Sequence, residues 1–303
     1  MGKKYTISGY YGFNNFGDEL ILSVLCKKLK AENADITVFS VSPTETSQKY
    51  GVKASPTFNI LKVIKVLSET DVLISGGGSL FQDTTSLKSL LYYAFVLFTA
   101  QLFKKETIIY RQGIGPLNKS ISGFIVKKLF KKCNYISVRD EKSLKILSDY
   151  GIKAEIKDDP VWEIELPKAD KTNAIGVQLR ECSGMGDDFL KNLALAISKT
   201  NPPEIKLFIL QKKMDYEISN KFKDFMSEIS PNLKITIVDN DLLKELSSVK
   251  TLVAARYHAL IIGLKSGTKC IGINYDPKIK ALAEKYSVSI IELSNIANEI
   301  NLF

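Results

Sequence analysis

Histidine occurs once in the 303 residues, as His258, so a reaction that needs an imidazole near neutral pH has a single candidate. Cysteine is nearly as scarce. Cys26, Cys133, Cys182 and Cys270 lie far apart and form no Cys-x-x-Cys pair, which argues against a cysteine metal site and a disulfide scaffold and fits a reducing cytosol. The longest greasy stretch, Leu90 to Phe103, falls short of the roughly 18 to 20 residues that a spanning helix requires. It contains Gln101 and reads as a buried or interfacial helix. The opening Met1-Gly2-Lys3-Lys4-Tyr5-Thr6 enters a strand at once, without the apolar centre of a signal peptide. No basic run interleaved with aromatics, no RNP-like motif and no zinc-finger spacing occurs, so nucleic acid is not an expected partner.

What is abundant is positive charge. A net charge of +9 and a pI near 9.1 imply attraction to an anion, either a phosphorylated metabolite or an anionic membrane face. Much of the excess is lysine in pairs, such as Lys104-Lys105, Lys127-Lys128 and Lys131-Lys132, and pairs of this kind read first as solvated helix faces. At 33.8 kDa with 45% hydrophobic residues, the chain is large enough for about two domains.

Short β-branched runs alternate with helical patterns almost from end to end, the pattern of parallel βαβ units. Strands are expected near 5–10, 35–41, 71–75, 107–111 and 135–138, with helices near 18–31, 59–67, 87–103, 123–133 and 141–150. The polar stretch Glu163 to Thr172, which contains Pro167, is the linker candidate. Beyond it strands are expected near 174–178, 205–210, 234–238, 251–254 and 270–274. The expected fold class is therefore α/β, with two Rossmann-like domains, 1–165 and 172–303, facing across a cleft and binding ligands at the carboxyl ends of their strands.

The strand exits carry the polar chemistry. Gly9-Tyr10-Tyr11-Gly12-Phe13-Asn14-Asn15-Phe16-Gly17-Asp18-Glu19 combines amides with aromatics, as sugar-facing surfaces do, although Asp18 reads equally as a first-turn helix residue. In Ser75-Gly76-Gly77-Gly78-Ser79, three glycines let backbone N–H groups approach a ligand; a plain tight turn explains them as well. Arg111, Arg139 and Arg180 each follow a strand, where a guanidinium fork suits carboxylate or phosphate. Asp140 and Glu181, adjacent in sequence to Arg139 and Arg180, leave the surface ion pair open as an alternative. Arg256 and His258 sit where an apolar strand gives way to a helix, and Lys278 follows the next strand. His258 reads either as a proton donor or as a packing residue at a helix start.

In combination these segments resemble the polysaccharide pyruvyl transferase family, in particular the bacterial cell-wall enzymes of the CsaB kind. The likeness rests on Ser8–Glu19, Ser75–Asp83, Arg111–Pro116, Val138-Arg139-Asp140, Asp159-Pro160, Gly176–Arg180, Ala255–Ala259 and Tyr275–Lys278, and it covers nearly the whole chain. The resemblance implies a GT-B-like fold and transfer of pyruvate from phosphoenolpyruvate onto two hydroxyls of a sugar, forming a ketal and releasing phosphate. It places Arg256, His258 and Lys278 in the donor site of the C-terminal domain, with Arg139 preferred over Arg111 as the cation from the other domain; Arg180 is expected, from its place at a strand exit, as a further donor contact. Asn14, Asn15, Gly17, Asp18, Gly76, Gly77, Gly78 and Ser79 are expected on the acceptor or phosphate side. No cofactor or metal is expected, with phosphoenolpyruvate the donor substrate. The expected acceptor is a lipid-linked N-acetylhexosamine, which would hold a cytoplasmic enzyme at the inner membrane face. A GT-B glycosyltransferase with a nucleotide-sugar donor shares this architecture, and a non-catalytic anionic-glycolipid binder shares the charge.

Overall fold

A computed structural model describes residues 2–84 and 86–294. The chain divides at Ile164/Glu165 into two compact units. The first alternates β1 (Lys4–Ser8), α1 (Phe16–Ala31), β2 (Asp35–Ser40), α2 (Pro43–Tyr50), β3 (Lys53–Pro56), α3 (Ile60–Glu69), β4 (Val72–Gly76), α4 (Leu87–Leu102), β5 (Glu106–Gln112), α5 (Ser120–Phe130), β6 (Tyr135–Val138), α6 (Glu141–Asp149) and β7 (Glu155–Ile156). All its strand pairs are parallel, in the order β3-β2-β1-β4-β5-β6-β7. The chain therefore winds outward one way from β1 to β3 and the other way from β4 to β7. Right-handed crossovers place α3 to α6 on the opposite sheet face from α1 and α2. The core agrees: Val63, Leu97, Phe130 and Leu147, from α3 to α6, pack with Leu73, Ile109 and Ile136 of the sheet, in a cluster that contains no α1 residue.

The second unit repeats the plan with β8 (Thr172–Gln178), α7 (Asp187–Ser198), β9 (Glu204–Phe208), α8 (Lys212–Ile229), β10 (Lys234–Val238), α9 (Leu242–Ser248), β11 (Val249–Ala254), α10 (Tyr257–Lys265), β12 (Lys269–Asn274), α11 (Pro277–Tyr286) and β13 (Ser289–Glu292). Its order, β10-β9-β8-β11-β12-β13, again reverses between the first and fourth strands. Both units are thus doubly wound Rossmann-like sheets, as the alternating sequence predicts. Their central strands are buried on both faces; every residue of β4, for instance, is buried, which is why it reads as a continuous apolar run.

Side-chain caps start several helices where the sequence turns from apolar to polar. Asn15 accepts from Gly17 N–H (3.2 Å), Asn59 from Lys62 N–H (3.0 Å) and Asp140 from Ser143 N–H (2.8 Å). The Asn15 cap starts α1 at Phe16, ahead of the position expected from Asp18. α5 likewise begins three residues earlier than its apolar pattern indicates. No sequence pattern marks α2, β3, β7 and β13. Strands of two to four residues and a helix of composition Pro-Thr-Glu-Thr-Ser-Gln-Lys-Tyr present too short or too polar a period to be seen. Among the described residues, no helix is long and apolar enough to cross a membrane.

Candidate active site

In an open parallel sheet, ligands bind outside the carboxyl ends of the strands, at the point where the strand order reverses. In the first unit that point lies between β1 and β4, whose exits are the segments around Asn14–Asp18 and Gly76–Ser79. After β1 the chain turns through Gly12 (φ 79°) and Asn14 (φ 54°), leaving Asn14 exposed while Gly17 and Asp18 are buried in the first turn of α1. Tyr11 Oη donates to Gly76 O (2.6 Å), tying the two loops together. Gly77 (φ 88°) and Gly78 (φ 60°) then bend the second loop over α1. A Cβ on Gly78 would stand 2.7 Å from Asp18 Oδ1, so the glycine is what lets this backbone lie against that carboxylate. A carboxylate at the loop makes this surface better suited to sugar hydroxyls than to an anion.

Two arginines at neighbouring strand exits have different surroundings. Arg139, its side chain 3% exposed, donates from Nη1 to Asp159 Oδ2 (3.0 Å) and from Nη2 to Ser79 Oγ (3.0 Å). It is thereby fastened to the glycine loop. Arg111, in left-handed backbone (φ 48°), turns to Glu163 Oε1 (2.7 Å) and Asp158 O (3.2 Å). Lys28 also pairs with Glu163. Burial raises the Glu163 carboxyl, but Lys28 and Arg111 outweigh it and hold the group below its ordinary value. Arg139 belongs with Ser79 and Asp159, whereas Arg111 belongs to a separate ionic cluster.

In the second unit the reversal lies between β8 and β11, and β12 follows as their neighbour. The three exits carry Arg180, Arg256 with His258, and Tyr275 with Lys278. Arg180 Nη1 donates to Tyr275 Oη (2.8 Å), and its guanidinium carbon lies 5.0 Å from the Tyr275 ring centroid. Lys278 Nζ lies 5.8 Å from the same centroid and 3.3 Å from Asp276 Oδ2, while Asp276 caps α11 by accepting from Lys278 N–H (3.0 Å). The tyrosine ring thus gathers two of the expected cations. Among the described residues, Arg180 makes no ion pair with a carboxylate.

Arg256 has a buried partner that its own segment does not announce. Its Nε lies 2.9 Å from Asp215 Oδ2 and its Nη2 lies 2.6 Å from Asp215 Oδ1 and 3.0 Å from Gln211 Oε1. Asp215 is fully buried in the first turn of α8 and accepts as well from the N–H groups of Leu210 and Gln211 (2.9 Å each). Gln178 completes the network, accepting from Arg256 N–H (2.8 Å) and donating to Asp215 Oδ2 (3.2 Å). The charge of Arg256 is therefore balanced within the protein, and its guanidinium fixes the start of α10. His258 stands one residue into that helix, half-buried, with Nε2 shielded from solvent and its ring edge-on to Tyr257 at 5.4 Å.

Asp215, Gln211, Tyr275 and Glu163 were not among the residues expected to shape these sites. Tyr275 and Gln178 do lie in the strand-exit segments. Asp215 gives no such signal, because it lies in a polar helical run and meets Arg256 only through the fold.

A family model described as polysaccharide pyruvyl transferase matches residues 15–277. No curated protein matches the sequence. Among solved structures the chain is similar to HepE of Anabaena in complex with UDP-glucose (12% identity, TM-score 0.64, covering 98% of this chain and 88% of that one). It is similar also to the UDP-GlcNAc 2-epimerases of Methanocaldococcus jannaschii (13%, TM-score 0.68, 100% and 91%) and of Neisseria meningitidis bound to UDP-GlcNAc (12%, TM-score 0.61, 98% and 89%). At such identities the likeness concerns the fold, which is GT-B-like with two Rossmann-like domains. The family match spans both units and includes the exits that carry Asp18, Arg139, Arg180, Arg256 and His258: the chain belongs to the polysaccharide pyruvyl transferase family.

Proposed function

We propose that this transferase moves the pyruvyl group of phosphoenolpyruvate onto two hydroxyls of a surface-polysaccharide sugar, a lipid-linked N-acetylhexosamine, in the manner of the CsaB-like cell-wall enzymes. The observation that carries this reading is the succession of Arg180, His258 and Lys278 at the ends of three adjacent strands. Phosphoenolpyruvate bears a carboxylate and a phosphate a few atoms apart, and fixed cations around it match the charge of both groups. Arg180, hydrogen-bonded to the Tyr275 hydroxyl, and Lys278, beside the same ring, supply that charge. Arg256 is a positioning residue, because Asp215 balances its charge and the pair holds the helix start on which His258 rides.

In the proposed sequence His258 donates a proton to the methylene carbon, turning it into the methyl group. The electron-poor central carbon is attacked by one sugar hydroxyl. The C–O bond to phosphate then breaks, and the second hydroxyl closes the ketal. One hydroxyl proton restores His258 and the other leaves with phosphate, so the sum is phosphoenolpyruvate plus diol to ketal plus phosphate. On the acceptor side, the Asp18 carboxylate and the glycine loop that Arg139 fastens offer hydroxyl acceptors and backbone donors to a sugar. A basic enzyme acting on a lipid-carried sugar would work at the inner face of the cytoplasmic membrane.

Mass spectrometry of the glycolipid after incubation with phosphoenolpyruvate in deuterated water tests this. The expected product carries a pyruvyl ketal with one deuterium in its methyl group. A glycolipid left unchanged by phosphoenolpyruvate but extended by a hexose from UDP-glucose would overturn the proposal in favour of glycosyl transfer, the chemistry suggested by the ligands of the structural neighbours.

A further inference from the structure

The outer face of α3, α4 and α5 does not look like a water-facing surface. The inner side of α4 is core, with Leu90, Leu97 and Ala100 buried, yet Phe98 and Leu102 on its outer side are 51% and 66% exposed. On either flank, Leu61 of α3 is 80% exposed and Phe124 of α5 is 60% exposed, with Phe58 and Ile121 exposed beside them. These side chains form one tract, because α3 packs on α4, α4 packs on α5, and the Phe58 ring meets Tyr92 of α4 edge-on at 5.9 Å. Scattered exposed leucines need no explanation, but aromatic and aliphatic residues collected on three adjacent helices do.

The charge around this tract is mostly of one sign, exposed Glu69 at the end of α3 being an exception. Between Asp83 and Asp140 the chain holds eight lysines and two arginines against a single acid, Glu106, a net +9 equal to that of the whole chain. Glu106 is itself engaged by Lys3 (2.7 Å). Lys62, Lys88, Lys104, Lys127 and Lys131 are all exposed on or beside these helices, and Lys128 lies over the Phe124 ring at 5.9 Å. Apolar side chains ringed by lysines match a bilayer surface, where the rings and leucines enter the acyl boundary and the ammonium groups meet anionic headgroups. A second copy of the chain fits worse, since pairing this face with itself would set lysine against lysine.

We infer that the α3–α4–α5 face of the N-terminal unit docks on a membrane surface rich in anionic phospholipid. The inference deepens the reading of a membrane-carried acceptor, but its test needs neither donor nor acceptor. The intact protein is sedimented with vesicles of phosphatidylcholine, alone or mixed with phosphatidylglycerol, alongside a Phe98→Glu/Phe124→Glu variant and a Lys127→Glu/Lys128→Glu variant. Wild type is expected to bind the anionic vesicles at least about tenfold more tightly than the neutral ones, and each variant to lose about tenfold or more while melting normally, because all four positions are exposed. Failure of wild type to prefer anionic vesicles, or undiminished binding by either variant, overturns the inference. So does a wild-type dimer that ignores vesicles and is split by Phe98→Glu/Phe124→Glu. A protein that makes the ketal without binding vesicles would refute only the docking face, and one that binds vesicles without using phosphoenolpyruvate would refute only the proposed chemistry.

Discussion

Arg256 shows how far a single residue can be read from its neighbours. Its place two residues before the only histidine was legible, because an apolar strand ends there and a helix begins. Its balance by Asp215 was not, since the two are 41 residues apart and meet only where the fold brings the N-terminal ends of α8 and α10 to the same edge of the sheet. Removing one member of a buried ion pair strands the other charge, so Asp215→Ala should cost about 3–5 kcal/mol, measured by denaturant unfolding. The variant should also lose activity, because the start of α10 loses its anchor. Glu163 gives a pH signature. Its carboxyl is held below the ordinary value, so its contribution to stability is present above the usual glutamate range of about 4.3 and is lost as pH falls through the lower folded value. Glu163→Gln should therefore flatten the loss of melting temperature below pH 5 or so, and an unchanged acid limb would show that the pairs with Lys28 and Arg111 contribute nothing. The thiols follow burial: Cys26, Cys133 and Cys270 are pushed up to about 12 by desolvation, so a thiol reagent at neutral pH should leave them unmodified in the folded protein.

At the scale of elements, what could be read was what repeats. β-branched runs followed by helical periods marked the central strands and the helices that cover them, because those strands are buried on both faces and are mostly apolar. The edges of the sheets escaped. β3 is Lys-Ala-Ser-Pro and β7 two residues long, and pairing with an existing edge rather than an internal pattern makes them strands. α4 was expected as a buried or interfacial helix; one side lies in the core and the other carries exposed apolar side chains. Truncation in the core that α4 shares with α5 has a definite cost: Phe130 of α5, 1% exposed and edge-on to Phe81 at 4.8 Å, should lose about 3–5 kcal/mol on replacement by alanine. The glycine loop is just as specific. At Gly77, φ is 88° and a Cβ would stand 3.1 Å from Ile21 Cγ2, so Gly77→Ala should destabilise by about 1–2 kcal/mol and weaken acceptor use, as read by unfolding and by KM.

For the whole molecule, doubling one topology creates two reversal points, and the residues singled out from the sequence fall at both. One pairs a carboxylate with a glycine loop; the other sets arginine, histidine and lysine at the ends of three neighbouring strands. That division suits a hydroxyl-bearing acceptor and a doubly acidic donor. The central claim is that His258 supplies the proton that opens phosphoenolpyruvate to attack. Phosphate release from phosphoenolpyruvate in the presence of an N-acetylhexosamine glycolipid, followed for wild type and His258→Ala, tests it most directly. The account predicts release by wild type and a fall of roughly 10²- to 10⁴-fold in the variant, with its melting temperature still raised by phosphoenolpyruvate. Release at the wild-type rate by His258→Ala would contradict it.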